Sequence, residues 1–321
     1  MNSRPTNLQK QLYNVLQRGL PVCQRPFAEL AKSLCTDEQT VLRQVTCLKE
    51  TGLIRRIGPI IDYRALGRKG TLVMAHVPQS LLKDVTEAVN SLETVSHNYL
   101  RDHYYNLWFT RQSQTMRQTD LALSGLSSRF GIDFHSLPAR RIFKLDVYFG
   151  TENRPTPVAA GCSKRRVRLT AGQKRILYGL QNQLNVTAEP FDFLRSGKCT
   201  IEETLSIVRQ LIDAGVIRRI AAVLDHRKLG FVANCLFVCR AADRSVAHCG
   251  RALADVPMVS HCCQRKTLEN WPYNLYAMMH SQSMDEIQMR IKNFVASEKL
   301  KCFELLPTAA ELKKLPVKYR F

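Results

Sequence analysis

Histidines are the side chains best suited to moving a proton at neutral pH, and three of them mark the second half of this sequence. His226 follows VIRRIAAVLD, His261 lies in VSHCC, and His280 ends WPYNLYAMMH. A single histidine in a strand is more often structural than catalytic, but three of them close to Trp271 and Tyr273 indicate a site. No HxxxH or HExxH spacing occurs, so no zinc site is expected.

The segment that ends at His226 has a near-copy in the first half of the chain. GVIRRIAAVLDHRKLG (215–230) matches GLIRRIGPIIDYRALG (52–67), with Tyr63 in place of His226. VSHNY and VSHCC, and YYNLWF and PYNLYA, repeat with a similar offset of about 164 residues, which indicates a duplicated domain.

Each copy is predicted to begin with a winged helix-turn-helix domain. Short helices are expected at PFAELAKSL and PFDFLRS, and Thr36 with Gln39, and Thr200 with Glu203, fit the capping box of a following amphipathic helix. The β-branched stretches LIRRIGPIIDY and VIRRIAAVLDH then predict a winged hairpin. The remainder of each copy follows the order strand, helix, two strands, helix, strand, which is ferredoxin-like.

These patterns predict an α+β fold, a tandem repeat of a winged helix-turn-helix and a ferredoxin-like domain. The predicted boundaries are 1–68 for the first winged helix, 69–150 for the first ferredoxin-like domain, 151–168 for a linker, 169–231 for the second winged helix and 232–321 for the second ferredoxin-like domain. The linker is assigned from its proline, glycine and basic residues.

The formal net charge of +20 predicts a polyanionic partner or substrate. Nucleic acid is the usual candidate, but the predicted recognition helix Thr200–Ala214 carries Glu202, Glu203 and Asp213 against Arg209. Such a face would meet the phosphates of DNA unfavourably. A small molecule with many carboxylates is the alternative.

The basic residues are concentrated outside that helix, at Arg55-Arg56, Arg218-Arg219 and SKRRVR in the linker. An arginine pair on a wing can be a solvated edge that prevents sheet aggregation. Arginine is also the side chain suited to forked pairing with a carboxylate. The sequence leaves both interpretations open.

The eleven cysteines are scattered and show no CxxC spacing, so we expect reduced thiols and no metal or iron–sulfur site. No run of about eighteen apolar residues occurs, and the first residues lack the layout of a secretion signal. We therefore expect a soluble, cytoplasmic protein without a membrane partner.

The quoted motifs together resemble the siroheme decarboxylases of the NirD and NirL type, which are built on Lrp/AsnC-like domains. VSHNYLRDHYYNLWF in the first copy, and DHRKLGFVANCLFV, VSHCCQRKTLENWPYNLYAMMH and KKLPVKYRF in the second, extend the resemblance over nearly the whole chain. Cys263 departs from the family pattern, in which an aromatic residue is usual. The resemblance implies a carbon–carbon lyase that converts siroheme to 12,18-didecarboxysiroheme in heme d1 or alternative heme synthesis. It implies no cofactor beyond the iron of the substrate.

The resemblance also implies a site in the second copy, where His226 and His261 handle the proton or orient the substrate. Arg218 or Arg219 would hold carboxylates, and His280 either binds substrate or coordinates its iron. The other expected substrate-binding residues are Trp271, Tyr273, Asn274, His97, His103 and Tyr105.

In the first copy, Tyr63, His97 and Thr110 are taken as the counterparts of His226, His261 and His280. The first copy could complete the pocket, host a second one, or only hold an internal pseudo-dimer together, and we favour the first. The rival functions are an Lrp/AsnC-type transcriptional regulator and a heme-binding sensor or carrier. No DNA partner is expected, and further pairing into a homodimer stays open.

Overall fold

A computed structural model describes residues 5–149, 166–197 and 199–321. The first repeat contains α1 (Asn7–Arg18), α2 (Pro26–Ser33), α3 (Glu38–Glu50), β1 (Ile54–Ile61), β2 (Lys69–Ala75), α4 (Leu82–Ser91), β3 (Val95–Arg101), β4 (Leu107–Ser113), α5 (Met116–Phe130) and β5 (Phe134–Leu145). The second contains α6 (Ala171–Leu180), α7 (Ile201–Asp213), β6 (Ile217–Leu224), β7 (Ala233–Cys239), α8 (Val246–Asp255), β8 (Val259–Arg265), β9 (Leu275–Ser281), α9 (Met284–Ser297) and β10 (Phe303–Lys314). The predicted linker lies outside the described residues as far as residue 165. None of the described helices is long and apolar enough to cross a membrane.

Side-chain caps set the starts of the recognition helices. The predicted capping box of α7 is confirmed, since the Thr200 side chain accepts from the backbone of Glu203 and the Glu203 carboxylate accepts from Thr200 N. In α3 the predicted box is wrong by one residue: Asp37 is the N-cap and accepts from Thr40 N at 2.8 Å. A carboxylate is as good an N-cap as a hydroxyl, and Asp37 is the nearer one to the helix. The short helix predicted in PFDFLRS is reduced to the 3-10 turn Asp192–Leu194.

The predicted wing hairpins are wrong, because within the described residues β1 and β6 have no partner strand in their own repeats. They pair antiparallel with each other instead, with Ile57 opposite Ala222 and Gly58 opposite Ala221. This pairing satisfies the backbone groups that two separate edges would leave open. The helices of both winged domains pack around the pair and share one hydrophobic core.

The ferredoxin-like order is confirmed, with spatial strand orders β3-β4-β2-β5 and β8-β9-β7-β10. The last strand of each repeat is long and pairs with both sheets. Residues 134–138 of β5 pair with β2 and residues 139–145 with β8. Residues 303–307 of β10 pair with β7 and residues 308–314 with β3. The sheets therefore close into a single barrel, an arrangement that the repeat pattern does not predict.

Successive strand residues face alternately the outer helices and the interior of the barrel. Val73 and Phe109 pack outward in one helix-covered core, and Phe237 packs outward in the other. Met74 and Trp108 point inward and belong to a core that fills the middle of the barrel. Because the middle is packed, chemistry is confined to the two ends of the barrel.

The contact between α8 and the exchanged strand β5 can be tested at Gly250. A Cβ atom there would lie 2.3 Å from the Phe143 ring, whereas a Cβ at Gly125 in α5 would meet nothing within 4 Å. Gly250→Ala should lower the free energy of unfolding by roughly 1 kcal/mol or more through overpacking. Gly125→Ala should raise it by about 0.5–1 kcal/mol through helix propensity. Urea unfolding measures both, and stabilisation by both variants would contradict the packing of α8 on β5.

Candidate active site

Four histidines come together at the end of the barrel that the β1–β6 pair covers. His226 lies between β6 and β7, His261 and His280 lie on the paired strands β8 and β9, and His97 lies on β3. The rings of His226 and His280 are 5.1 Å apart. Ser260 joins two members, because its Oγ lies 3.1 Å from His280 Nε2 and 3.0 Å from His261 Nδ1. The structure therefore brings His226, His261 and His280 together, as the sequence predicts.

His97 completes the cluster from the first repeat and has the same local setting as His261. Its Nδ1 lies 2.9 Å from Ser96 Oγ, just as His261 contacts Ser260. His97 also lies close enough to His261 for its charge to lower the pKa of that imidazole. The cluster is thus shared by both repeats.

His226 is fully enclosed, with no exposed surface. Its Nδ1 lies 3.4 Å from the Lys314 ammonium, and its Nε2 has no hydrogen-bond partner among the described residues. The Nδ1 of His280 is likewise without a partner in the described part of the chain. Buried polar atoms are nearly always paired in folded proteins, so these two nitrogens indicate an interaction that the free protein does not make.

Positive charges lie near His226 on β10, on β1 and at Arg227, which follows His226 in the chain. Lys314 of β10 lies 3.4 Å from Glu311, and Arg55 of β1 contacts Glu311 at 2.9 Å and Asp225 at 3.0 Å. The carboxylates hold the cations in place. A ligand with several carboxylates could replace these carboxylates as the hydrogen-bond partner of Arg55 and Lys314.

Burial holds the imidazoles in the neutral form. It lowers the pKa of His226 to about 4, and the Lys314 charge acts in the same direction. Burial likewise lowers the pKa of His97 and of His261 to about 4. The pKa of His280 is also lowered, by burial first and then by His226. The proton-transfer role assumes an imidazole whose pKa is near neutrality. In the closed site the pKa values of these histidines are lower than that.

Arg218 and Arg219 do not adjoin His226. Arg219 Nη2 lies 3.0 Å from Asp146, whose backbone N–H donates to Ser260 O. Arg218 lies near His261, whose pKa its charge lowers, and near Asp62 and Arg64 beside Tyr63. Near His226, Arg55 of the first repeat binds the adjacent Asp225, and the Arg227 charge lowers the pKa of His226. The arginines of each repeat contact the opposite repeat because β1 and β6 pair with each other, which places each of these strands against the other repeat.

The residues around Tyr63, which we call the Tyr63 side, correspond by the internal repeat to the residues around His226, which we call the His226 side. The two sides differ in their polar side chains. His97 faces Thr110 across β3 and β4, and His261 faces Met278 across β8 and β9. Thr110 is therefore the counterpart of Met278, and the predicted match with His280 is wrong. The match fails because the offset between β4 and β9 is 168 residues, whereas Thr110 and His280 are 170 residues apart. Gln112, two residues further, occupies the position that corresponds to His280.

Trp271, Tyr273, Tyr105 and His103 gather at the opposite end of the barrel. The Trp271 ring lies 4.7 Å from Tyr273 and 5.5 Å from Tyr105. Tyr273 donates to Glu304 at 2.6 Å, and His103 Nε2 lies 2.8 Å from the other oxygen of Glu304. Glu304 and Lys314 are at opposite ends of β10, so these aromatic residues do not join the histidine cluster.

Asn274 is engaged entirely with the backbone of Ala241, to which it donates at 2.8 Å and from which it accepts at 2.9 Å. Asn106 makes the same pair of bonds with Val77 in the first repeat, both at 2.9 Å. The asparagine of the repeated YNL string therefore has a structural role, because its side chain fixes the backbone at the start of β4 and of β9. We place Asn274, like the aromatic residues, outside the proposed site.

The residues that the sequence did not single out come mainly from the exchanged strands. Lys314 and Glu311 lie on the half of β10 that pairs with β3, and Phe149 follows β5. Arg101 of β3 is buried, its pKa is lowered to about 10 by burial, and its charge reaches His280. Lys314 lies in the string KKLPVKYRF, which is one of the motifs quoted above. Its position beside His226 follows only from the pairing of β10 with β3 of the other repeat.

Among residues 5–149, 166–197 and 199–321, no group of three or more His, Cys, Asp or Glu side chains is arranged to hold a metal ion. The unpartnered Nε2 of His226 and Nδ1 of His280 are two buried nitrogens of the cluster that could coordinate a metal carried by a ligand.

Comparison with known proteins accounts for both kinds of domain. Residues 65–144 and 228–313 match the AsnC-like ligand binding domain, and residues 9–55 match the siroheme decarboxylase NirDL-like HTH domain. The chain is 32% identical over 314 residues to the siroheme decarboxylase of Hydrogenobacter thermophilus, and the match covers 96% of this chain and 94% of that protein. The chain belongs to the siroheme decarboxylase family.

Similarity within the siroheme decarboxylase family extends to solved structures. The crystal structure of NirDL in complex with an iron-uroporphyrin III analogue aligns with a TM-score of 0.71 at 30% identity, covering 96% of this chain and 93% of that one. The alpha subunit of siroheme decarboxylase from Desulfovibrio desulfuricans is 40% identical over 147 residues, which is 46% of this chain and 85% of that subunit. A family subunit can therefore correspond in length to one half of this chain.

The buried cluster makes stability depend on pH. The imidazoles of the unfolded chain bind protons below their ordinary pKa of 6.5, whereas the pKa of His226 in the folded chain is about 4. Stability is therefore present above pH 6.5 and is lost as the pH falls toward 4, by at most about 3 kcal/mol for one imidazole. His226→Gln should flatten this dependence in urea unfolding between pH 4.5 and 7. His248→Gln, on the exposed surface of α8, is the control, and equal pH slopes in wild type and His226→Gln would contradict the assignment.

Proposed function

We propose that this protein is a siroheme decarboxylase that converts siroheme to 12,18-didecarboxysiroheme in heme d1 or alternative heme synthesis. The observation that carries the proposal is the enclosed His226–His280 pair, with its unpartnered nitrogens and with Lys314 and Arg55 beside it. The net charge of +20 supports a substrate that carries eight carboxylates. The family to which the chain belongs supports the same substrate class.

The reaction is a non-oxidative cleavage of a carbon–carbon bond, which makes the enzyme a lyase. Each acetate group loses carbon dioxide, and the bonding electron pair stays on the methylene carbon, where the conjugated macrocycle can delocalise it. One proton then adds to that carbon and gives a methyl group. Two such steps consume two protons and release two molecules of carbon dioxide, so no oxidant is required.

We assign proton delivery to His226, with His261 orienting it or the substrate through Ser260 and His280. The free site holds these imidazoles neutral. A bound carboxylate beside His226 raises its pKa, because negative charge favours the imidazolium. The substrate would therefore bring about the protonation that its own reaction consumes.

We assign the carboxylates that remain on the substrate to Arg55 and Lys314. Both cations are held by Glu311 in the free protein, so substrate binding exchanges one carboxylate partner for another at little cost in burying new charge. His280 either supports His226 or approaches the substrate iron through its free Nδ1. In this scheme Arg218 lies near His261, and Arg219 is paired with Asp146.

The regulator hypothesis loses support from the fold. β1 and β6 bond to each other and form no hairpins that could enter a DNA groove. Arg209 of α7 is engaged with Glu202 at 2.6 Å and with the carbonyl of Val22 at 3.2 Å. Its charge is therefore already compensated on the surface where DNA would have to dock.

Anaerobic incubation with siroheme, followed by mass spectrometry, tests the function. Wild type should produce a species that has lost two carbon dioxide units, whereas a sensor or carrier would return siroheme unchanged. His226→Ala and His261→Ala should still bind siroheme, but their turnover rate should fall by a factor of about 100 or more. This is the usual effect of losing a proton-transfer group. Tyr63→Phe at the matching position is the control and should keep its rate. Full activity in both histidine variants would remove the site assignment.

A further inference from the structure

The segment Asp146–Phe149, which we call the strap, leaves β5 and crosses the histidine cluster. The Phe149 ring lies 5.5 Å from His226 in a stacked arrangement and 5.2 Å from His280 in an edge-on one. Phe231 lies on it at 5.3 Å. His226 has no exposed surface while Phe149 is stacked on it, so the ring covers one face of the imidazole against any ligand.

Two neighbouring side chains of the first winged domain contact the strap, because the Arg18 guanidinium lies 5.8 Å from the Tyr148 ring and Gln17 bonds to Phe149. Gln17 of α1 is buried, donates from Nε2 to Phe149 O at 2.9 Å, and accepts from Phe149 N at 2.8 Å. At the other end of the strap, Asp146 N donates to Ser260 O at 2.9 Å. Val147 and Tyr148 lie between these two anchors, and Val147 is exposed.

The second repeat contains the same device on the Tyr63 side. Gln181, the residue that follows α6, donates to Tyr319 O at 2.9 Å and accepts from Tyr319 N. Tyr319 has additional anchors, because its hydroxyl donates to Gln112 at 2.7 Å and the Arg68 guanidinium lies 4.9 Å from its ring. Phe149 has no hydroxyl with which to make the corresponding bond, so the Gln17 amide is the polar anchor at its end of the strap.

We propose that the strap is the access gate of the His226 site, that Gln17 is its latch, and that Tyr319 is the counterpart held shut. This inference rests on the proposed function for the identity of what enters. The difference between Phe149 and Tyr319 determines which of the two related sides opens. The winged domains then act as latches on the barrel rather than as readers of DNA.

The test measures access to His226 without siroheme, by reaction of its imidazole with diethyl pyrocarbonate and peptide mass mapping at neutral pH. Gln17→Leu leaves both backbone groups of Phe149 buried and unpaired in the closed form, which favours opening. The modification rate of His226 should rise about tenfold or more, because the closed form loses both hydrogen bonds of the latch. Gln181→Leu, the matched control, should leave that rate within about twofold of wild type.

Phe149→Ala removes the ring and keeps the latch, so it carries the test even if Gln17→Leu fails to fold. It should expose His226 to the reagent, and Tyr319→Ala should not. No increase in either strap variant, or an equal increase in the Tyr319 and Gln181 controls, would overturn the gate. A folded state in each variant is checked by its urea unfolding transition.

A second readout separates the gate from the reaction. In anaerobic stopped-flow absorbance, Gln17→Leu should bind siroheme several-fold faster than wild type. If His226 becomes reactive in the strap variants while wild type fails to decarboxylate siroheme, the gate stands and the proposed function fails. If siroheme is decarboxylated but the strap variants leave His226 as protected as in wild type, the function stands and the gate fails.

Discussion

β5 and β10 each form hydrogen bonds with two sheets at once, and the position of every residue in the histidine cluster depends on this exchange. Without it, Lys314 would lie on a free strand end and the strap would have no site to cross. The β1–β6 pair repeats the exchange in the winged domains and brings Arg55 to Asp225. Two repeats thus form one closed unit, in which neither ferredoxin-like sheet retains an open edge.

Enclosure has a chemical consequence. The burial that protects the histidine cluster also lowers the pKa of His226, His97 and His261 to about 4, so the free protein holds neutral imidazoles beside cations. Such an arrangement disfavours its own protonation and favours anions. The carboxylates of an anionic substrate pair with the cations and also stabilise the imidazolium form of a nearby histidine. Substrate binding is thereby coupled to the uptake of a proton.

Duplication followed by divergence explains the asymmetry of the two sides. Ser96 with His97 and Ser260 with His261 remain equivalent, but His226 and His280 are matched by Tyr63 and Gln112. The latches Gln17 and Gln181 also remain equivalent, whereas the aromatic residues that they hold differ by one hydroxyl. The backbone arrangement is thus kept in both repeats while the polar side chains that decide chemistry and access differ.

The sequence by itself determined the tandem architecture, the element order and the histidines of the second repeat, because these follow from local periodicity, capping residues and internal matches. It also indicated the substrate class through charge and family resemblance. Only the tertiary structure decided that β1 and β6 pair with each other, that Arg55 of the first repeat binds Asp225 next to His226, and that Trp271 and Tyr273 lie at the far end of the barrel. The physical reason is that strand pairing is non-local: a sequence pattern shows which residues prefer a strand, but both repeats offer chemically equivalent edges, and the choice between them is made only when the whole barrel closes.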